Sequence, residues 1–179
     1  MAESDPAVVR LAELFERHPA WVEAARSLDR SAASAVYFRH LPGEVWQLVF
    51  RDGRARLRPG RPASPDFAFR FSAAAVDRLA GVDGGIGDFA VELFGLISSD
   101  DPTHGVDLRV VAPFATLVRK GYLKLLWSGG VRVIVYGAKR GFRTLGDLRR
   151  WVERIRSDRP QPWETSDARA EGREPTRPQ

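Results

Sequence analysis

Residues 65–95 read PDFAFRFSAAAVDRLAGVDGGIGDFAVELFG, and the fold turns on the change of period inside them. Phe67, Phe69 and Phe71 alternate with Ala68 and Arg70, the two-residue period of a strand with one apolar and one solvated face. Ser72 then precedes Ala73, Ala74 and Ala75, which predicts an N-capped helix with Asp77 where the helix dipole favours negative charge. Val76, Leu79 and Ala80 form its apolar stripe, and Gly81 ends it. Gly84, Gly85 and Gly87 supply a flexible turn before a second helix from about Asp88, carrying Phe89, Leu93 and Phe94 at helical spacing.

Upstream, Val8, Leu11, Leu14, Phe15, Val22 and Ala25 make a helical stripe that Pro19 interrupts, so two short helices are expected. Ser4, Asp5 and Pro6 cap the first, and the second covers about 20–28. Residues 29–35 read as a linker and 36–40 as a first strand closed at Pro42-Gly43. Residues 44–51 are apolar on both alternations, as a central strand would be. Asp52-Gly53 is a hairpin signal, and 54–58 place Ala55 and Leu57 inward with arginines outward. Downstream, 96–98 read as a short strand and 106–127 as a long helix, kinked or started by Pro113 and weakened at Gly121, with Leu108, Val111, Ala115, Val118, Tyr122 and Leu125 three or four residues apart. After Ser128-Gly129-Gly130, the alternation over 131–136 predicts a strand. Thr144 then caps a helix with Leu145, Leu148, Trp151, Val152 and Ile155. From Ser157 onward Pro, Arg, Glu and Asp dominate, and disorder is expected.

The chain has 179 residues, 44% hydrophobic and 28% charged, enough for one core. It has no cysteine, which excludes disulfides, thiolate catalysis and cysteine-bound zinc. Neither a secretory signal nor an apolar run of about 20 residues is present, so a soluble, cytoplasmic protein is expected. Within the net charge of +5, residues 119–160 hold 12 basic and 3 acidic side chains. Such a segment suits phosphate-bearing partners or simply solvates ordinary surfaces.

Several pieces resemble the sterol carrier protein type 2 (SCP-2-like) lipid-binding family in order and spacing. They are Phe50-Arg51-Asp52-Gly53, the strand from Pro65 to Ser72, Val76-Asp77-Arg78-Leu79-Ala80-Gly81, and Phe94-Gly95-Leu96-Ile97 leading to Asp100. The resemblance spans 36–126, about half the chain. It implies an α+β fold: a twisted, mainly antiparallel sheet of about five strands, helices on one face, and an apolar tunnel between. It divides the chain into an N-terminal helical segment (1–35), the lipid-binding domain (36–127), a basic strand-helix extension (128–156) and a disordered tail (157–179). Periodicity leaves open whether the large side chains form a dry core or line a cavity. The resemblance implies a cavity lined by Phe67, Phe69, Phe71, Val76, Leu79, Phe89, Leu93, Phe94, Phe114, Val118 and Tyr122. Its ligand would be a sterol, fatty acyl chain, acyl-CoA or prenyl-type lipid, with Arg119, Lys120, Lys124, Lys139 and Arg140 at an anionic membrane or headgroup.

No catalytic constellation is legible. His18, His40 and His104 fall on separate elements, and neither a G-x-S-x-G nor an H-E-x-x-H run occurs. No enzyme activity, cofactor or metal is expected, although Asp100, Asp101 and His104 have the residue types of a cation site as well as those of a polar turn. The alternative to lipid carriage is an accessory protein with a filled core, whose basic strand and helix dock a protein, an anionic membrane or a nucleic acid; charge permits the last, but no motif supports it.

Overall fold

The Asp5 carboxylate accepts hydrogen bonds from the backbone N–H groups of Ala7 (2.8 Å) and Val8 (3.4 Å), and Pro6 sits in the first turn, where no N–H is needed. This cap starts α1 (Pro6–Arg17) in the computed structural model, which describes residues 5–99, 101, 103–139, 141 and 144–165. Pro19 then forces a new start, α2 (Pro19–Ala25). There follow β1 (Ala33–Phe38), β2 (Val45–Arg51), β3 (Arg54–Pro59), β4 (Phe67–Phe71), α3 (Ala73–Ala80), α4 (Ile86–Ile97), β5 (Val106–Val110), α5 (Phe114–Arg119), α6 (Tyr122–Ser128), α7 (Gly130–Lys139) and α8 (Leu145–Ile155).

The architecture is α+β, with one sheet of order β3-β2-β1-β4-β5. Three strand pairs are antiparallel and β1–β4 is parallel. Register sets Val36 beside Trp46 and Phe69, and Phe69 beside Leu108, so the apolar side chains of four strands share one face. Leu11, Phe15, Trp21, Val76 and Leu79 close over that face, joined by Val152 from α8. The first helices and the last therefore enter the same core as the aromatic strand.

Three expectations are corrected. β2 is an interior strand as expected, paired with β1 on one side and β3 on the other, although only its Leu48 and Phe50 are buried. Residues 96–98 end α4 and its cap instead of forming a strand; Leu96 packs into the core from a helical position. The long helix expected over 106–127 is β5, α5 and α6: Val106, Leu108 and Val110 alternate with Asp107 and Arg109 and complete the hydrogen bonding of β4. Gly121 separates α5 from α6 at φ +90°, and a side chain there would overlap the Ser27 carbonyl oxygen. Finally, 131–136 is helical, within α7. Five of its six residues are apolar, Arg132 excepted, so they also satisfy helical spacing, and packing against α4 buries Val133 and Tyr136 in part.

The tail also departs from expectation. Residues 166–179 lie outside the described residues, but 156–165 strap across the sheet's second face. Val110 and Arg156 form a parallel bridge, and the Ser157 N–H donates to the Val110 carbonyl (3.0 Å). Trp163 covers Ala35, Tyr37 and Ala68, meeting the Tyr37 ring edge-on at 5.1 Å. Arg109 donates to both Glu164 carboxylate oxygens at 2.5 Å, and the two side chains are only 7% and 4% exposed. A single tryptophan and one acid anchor an otherwise polar segment because the sheet offers an apolar patch and a buried guanidinium.

A second buried polar node joins strands to helices. Asp66, just before β4, accepts from Lys120 Nζ (2.7 Å), the Tyr122 hydroxyl (3.0 Å) and the Ala33 N–H (3.0 Å). Its backbone carbonyl accepts from Val111 and Ala112, and Lys120 also donates to the Ser31 carbonyl at 2.8 Å. Burial, then the adjacent Asp66 charge, pushes the Tyr122 hydroxyl well above its usual range, so it stays a donor. Lys120→Met would leave the Asp66 carboxylate buried without its cation, and should lower stability by about 3–5 kcal/mol in urea denaturation.

Candidate functional site

Helices α4, α6, α7 and α8 surround a cavity of about 570 Å³. At one end α4 and α6 meet backbone to backbone: a Cβ at Gly87 would overlap the Gly129 carbonyl, and one at Gly129 would crowd Gly87. From α4 come Val91, Phe94 and Ile97; from α6, Leu123, Leu126 and Trp127. The Tyr136 ring of α7 stacks on Phe94, centroids 6.4 Å apart and 21° between planes. An ion pair between Arg132 and Asp88 ties α7 to the first turn of α4.

The fourth wall, α8, is two-sided. Its Thr144 cap accepts from the Asp147 N–H (3.2 Å) while the Asp147 carboxylate accepts from the Thr144 N–H (2.8 Å), a reciprocal box that fixes the helix start. Leu148 and Trp151 present apolar surface to the cavity; Asp147, Arg150 and Arg154, on neighbouring turns, add polar groups. Arg150 donates to Asp147 at 2.5 Å. The cavity meets solvent where Trp127 is 56%, Ile134 55% and Leu145 47% exposed. The result is a mainly apolar groove whose charged groups, among the described residues, come from one wall, in the range of about 300–1,000 Å³ usual for small-molecule sites.

Of the eleven side chains expected to line a cavity, Phe94 alone faces this groove. Phe71, Val76, Leu79 and Phe89 are buried in the core, with Phe67, Phe69, Leu93 and Phe114 packed half-buried against it. The β4 phenylalanines stack on one another at 5.8 Å, and Phe67 meets Tyr122 edge-on at 5.0 Å. Tyr122 is held by Asp66, and Val118 is 40% exposed. Among the expected headgroup contacts, Arg119, Lys124 and Lys139 are exposed, whereas Lys120 is buried on Asp66; Arg140 lies outside the described residues. Sequence reasoning missed Leu126, Trp127, Tyr136 and Trp151. A signal existed in the apolar load of 122–139, which exceeds what a short surface strand would bury.

The polar turn at Asp101 is a hydrogen-bonded unit. Asp101 accepts from the Thr103 N–H (2.8 Å) and hydroxyl (2.5 Å), and its other oxygen lies 2.8 Å from His104 Nδ1. Asp100 lies outside the described residues, and no group of three or more metal-ligating side chains occurs among the described ones. His18 Nε2 contacts the Val82 carbonyl (3.2 Å) and His40 Nε2 the Asp5 carboxylate (3.1 Å), so the three histidines stay on separate elements. Among the described residues no helix is long and apolar enough to cross a membrane.

No protein-family model matches the chain, and no curated protein matches it. A solved structure of a UbiJ-SCP2 ubiquinone synthesis protein is similar at 15% identity, covering 70% of this chain and 93% of that one, with a TM-score of 0.41.

The Thr103 hydroxyl first, then His104, holds the Asp101 carboxyl well below the usual carboxylate range. A depressed folded-state pKa stabilises the fold above the unfolded value of about 3.9, and that contribution is lost as pH falls through the folded one. Carboxyl-carbon NMR should accordingly find Asp101 still ionised at about pH 3, where ordinary aspartates are mostly protonated.

Proposed function

We propose that this chain is a non-enzymatic carrier of a hydrophobic lipid, holding the apolar part of its ligand in the groove between α4 and α6–α8. The observation that carries this reading is the groove itself: about 570 Å³ lined mainly by aliphatic and aromatic side chains, open at one side. Among the fatty acyl, acyl-CoA, sterol and prenyl-type lipids considered from sequence, each would place hydrocarbon against Leu126, Trp127, Leu148 and Trp151. Burying one large apolar side chain is worth about 1.5–3 kcal/mol, so the roughly −8 kcal/mol of a micromolar complex needs at least about four such contacts when association costs lie at the lower end of about 4–15 kcal/mol, and more when they do not.

The mouth of the groove also suits lipid exchange at a membrane. Trp127, Ile134, Val135 and Leu145 are exposed apolar groups, and the same helices carry exposed Lys124, Lys139, Arg149 and Arg150. Apolar side chains flanked by cations favour transient contact with an anionic bilayer, with about 1 kcal/mol from each basic group near the surface.

Native mass spectrometry of the purified protein should detect a lipid adduct, and a fluorescent fatty acid should bind and be displaced by unlabelled lipid. Because Trp127 is more than half exposed, Trp127→Ala should leave thermal stability nearly unchanged while weakening fatty-acid binding about tenfold. Absence of both adduct and displacement would overturn the reading.

A further inference from the structure

Hairpin register gathers four arginines on one exposed surface. Arg54, Arg56 and Arg58 alternate along β3 with Ala55 and Leu57, which face the core, and Arg51 of β2 pairs directly with Arg54. The three on β3 stand about 7 Å apart, twice the rise per residue, with β2 about 5 Å away. All four are exposed, and Gln47 and Val49 of β2 lie beside Arg58 and Arg56. Further along the same outer face Trp163 covers Ala35, Tyr37 and Ala68, while these arginines stay open.

No acid balances the array. Among the described residues no carboxylate pairs with any of the four. Asp52, in the hairpin turn, pairs with Arg30 at 3.8 Å, Glu164 is taken by Arg109, and Glu44 stands at the far end of β2. Arg26, the C-cap of α2, lies against Gly53 and adds positive charge to the hairpin tip. Like charges directly opposite one another across strands, as Arg51 and Arg54 are, destabilise a sheet. Guarding a sheet edge would be served as well by lysine or by mixed signs. Arginine's planar fork instead takes two oxygens of one phosphate at once.

A partner for this surface is polyanionic and meets a flat array. Nucleic acid is read by an element that enters a groove, or by aromatic surface on which bases stack. Here α1 and α2 pack on the inner side of the hairpin, and no aromatic side chain stands among the arginines. An anionic bilayer requires neither device, since its phosphates already lie in a plane.

We infer that the outer face of the β2–β3 hairpin docks on an anionic phospholipid bilayer, with Arg51, Arg54, Arg56 and Arg58 on its phosphates. The contact is electrostatic and shallow, because the exposed large apolar side chains such as Trp127 and Ile134 lie on other elements. None of the four arginines lines the groove, so this surface is separate from the one proposed at its mouth and does not require a lipid inside.

The chain has no cysteine, so a nitroxide spin label on Gln47→Cys reports from beside the arginines, and one on Ile134→Cys from the groove. Collisions of each label with an aqueous nickel chelate are followed as vesicles are added, either phosphatidylglycerol mixed with phosphatidylcholine or phosphatidylcholine alone, at about 0.05 M and 0.5 M salt. At low salt the anionic vesicles should shield the Gln47 label severalfold and the neutral ones should not; high salt should abolish the shielding. Arg54→Gln combined with Arg56→Gln should raise the half-maximal vesicle concentration about twentyfold, at roughly fivefold per arginine. Shielding confined to the Ile134 label would overturn the inference while leaving the contact at the groove mouth standing. Equal shielding by neutral vesicles, shielding of neither label, undiminished shielding in a folded double variant, or tighter binding of duplex DNA than of anionic vesicles at the same salt would also overturn it. The label comparisons keep the arginines intact, so they decide the question even if the double variant does not fold.

Discussion

The carboxylate of Asp66 is the point on which the arrangement of layers depends. It stands between β1 and β4 at their shared entry, receives the Lys120 ammonium, the Tyr122 hydroxyl and the Ala33 amide, and is 1% exposed. Lys120 closes α5 and Tyr122 opens α6, so one buried acid determines where the chain passes from the sheet to the helices that wall the groove. A carboxylate so removed from water is tolerable only with its cation and all its donors in place. The left-handed turn at Gly121 lies between the two donors and lets both reach the same acid.

The sheet is finished differently on its two faces. One face takes the large aromatic and aliphatic side chains and is closed by helices. The other is small and mixed, with Ala35, Tyr37 and Ala68 among Arg70, Asp107 and Arg109, and it is closed by chain rather than by a helix layer. Arg61, from the crossover into β4, lies 6.0 Å from the Tyr37 ring and donates to the Glu164 carbonyl at 2.6 Å, so crossover and strap hold each other. The buried Arg109–Glu164 pair gives this strap a specific seat, since neither charge has an equally good alternative when desolvated.

The groove follows from the same division. Because the phenylalanines of β4 pack against one another and Phe67 meets Tyr122 edge-on, the space beneath the sheet is filled, and concavity arises instead where four short helices cannot close on one another. Short amphipathic helices carrying apolar residues on more than one side need such neighbours; α7 buries part of its surface on α4 and leaves Ile134 and Val135 outside. The membrane contact and ligand capture proposed above would draw on the same incompletely covered surface.

Local chemistry was legible in the chain. The alternation of Phe67, Phe69 and Phe71, the caps at Asp5, Ser72 and Thr144, the Asp52-Gly53 hairpin and the break at Pro19 each specify an element through interactions within a few residues. They sufficed for four of the five strands, while the α+β expectation with about five strands came from the resemblance to the SCP-2-like family. Other outcomes required partners far along the chain. Residues 106–110 became a strand because β4 had an edge to pair, and 131–136 became a helix because α4 offered a packing face. Residues 156–165 became ordered because Arg109 and an apolar patch awaited them. The location of the cavity belonged to this second class: periodicity says which side chains leave water, but only tertiary packing decides whether they meet one another or leave space between.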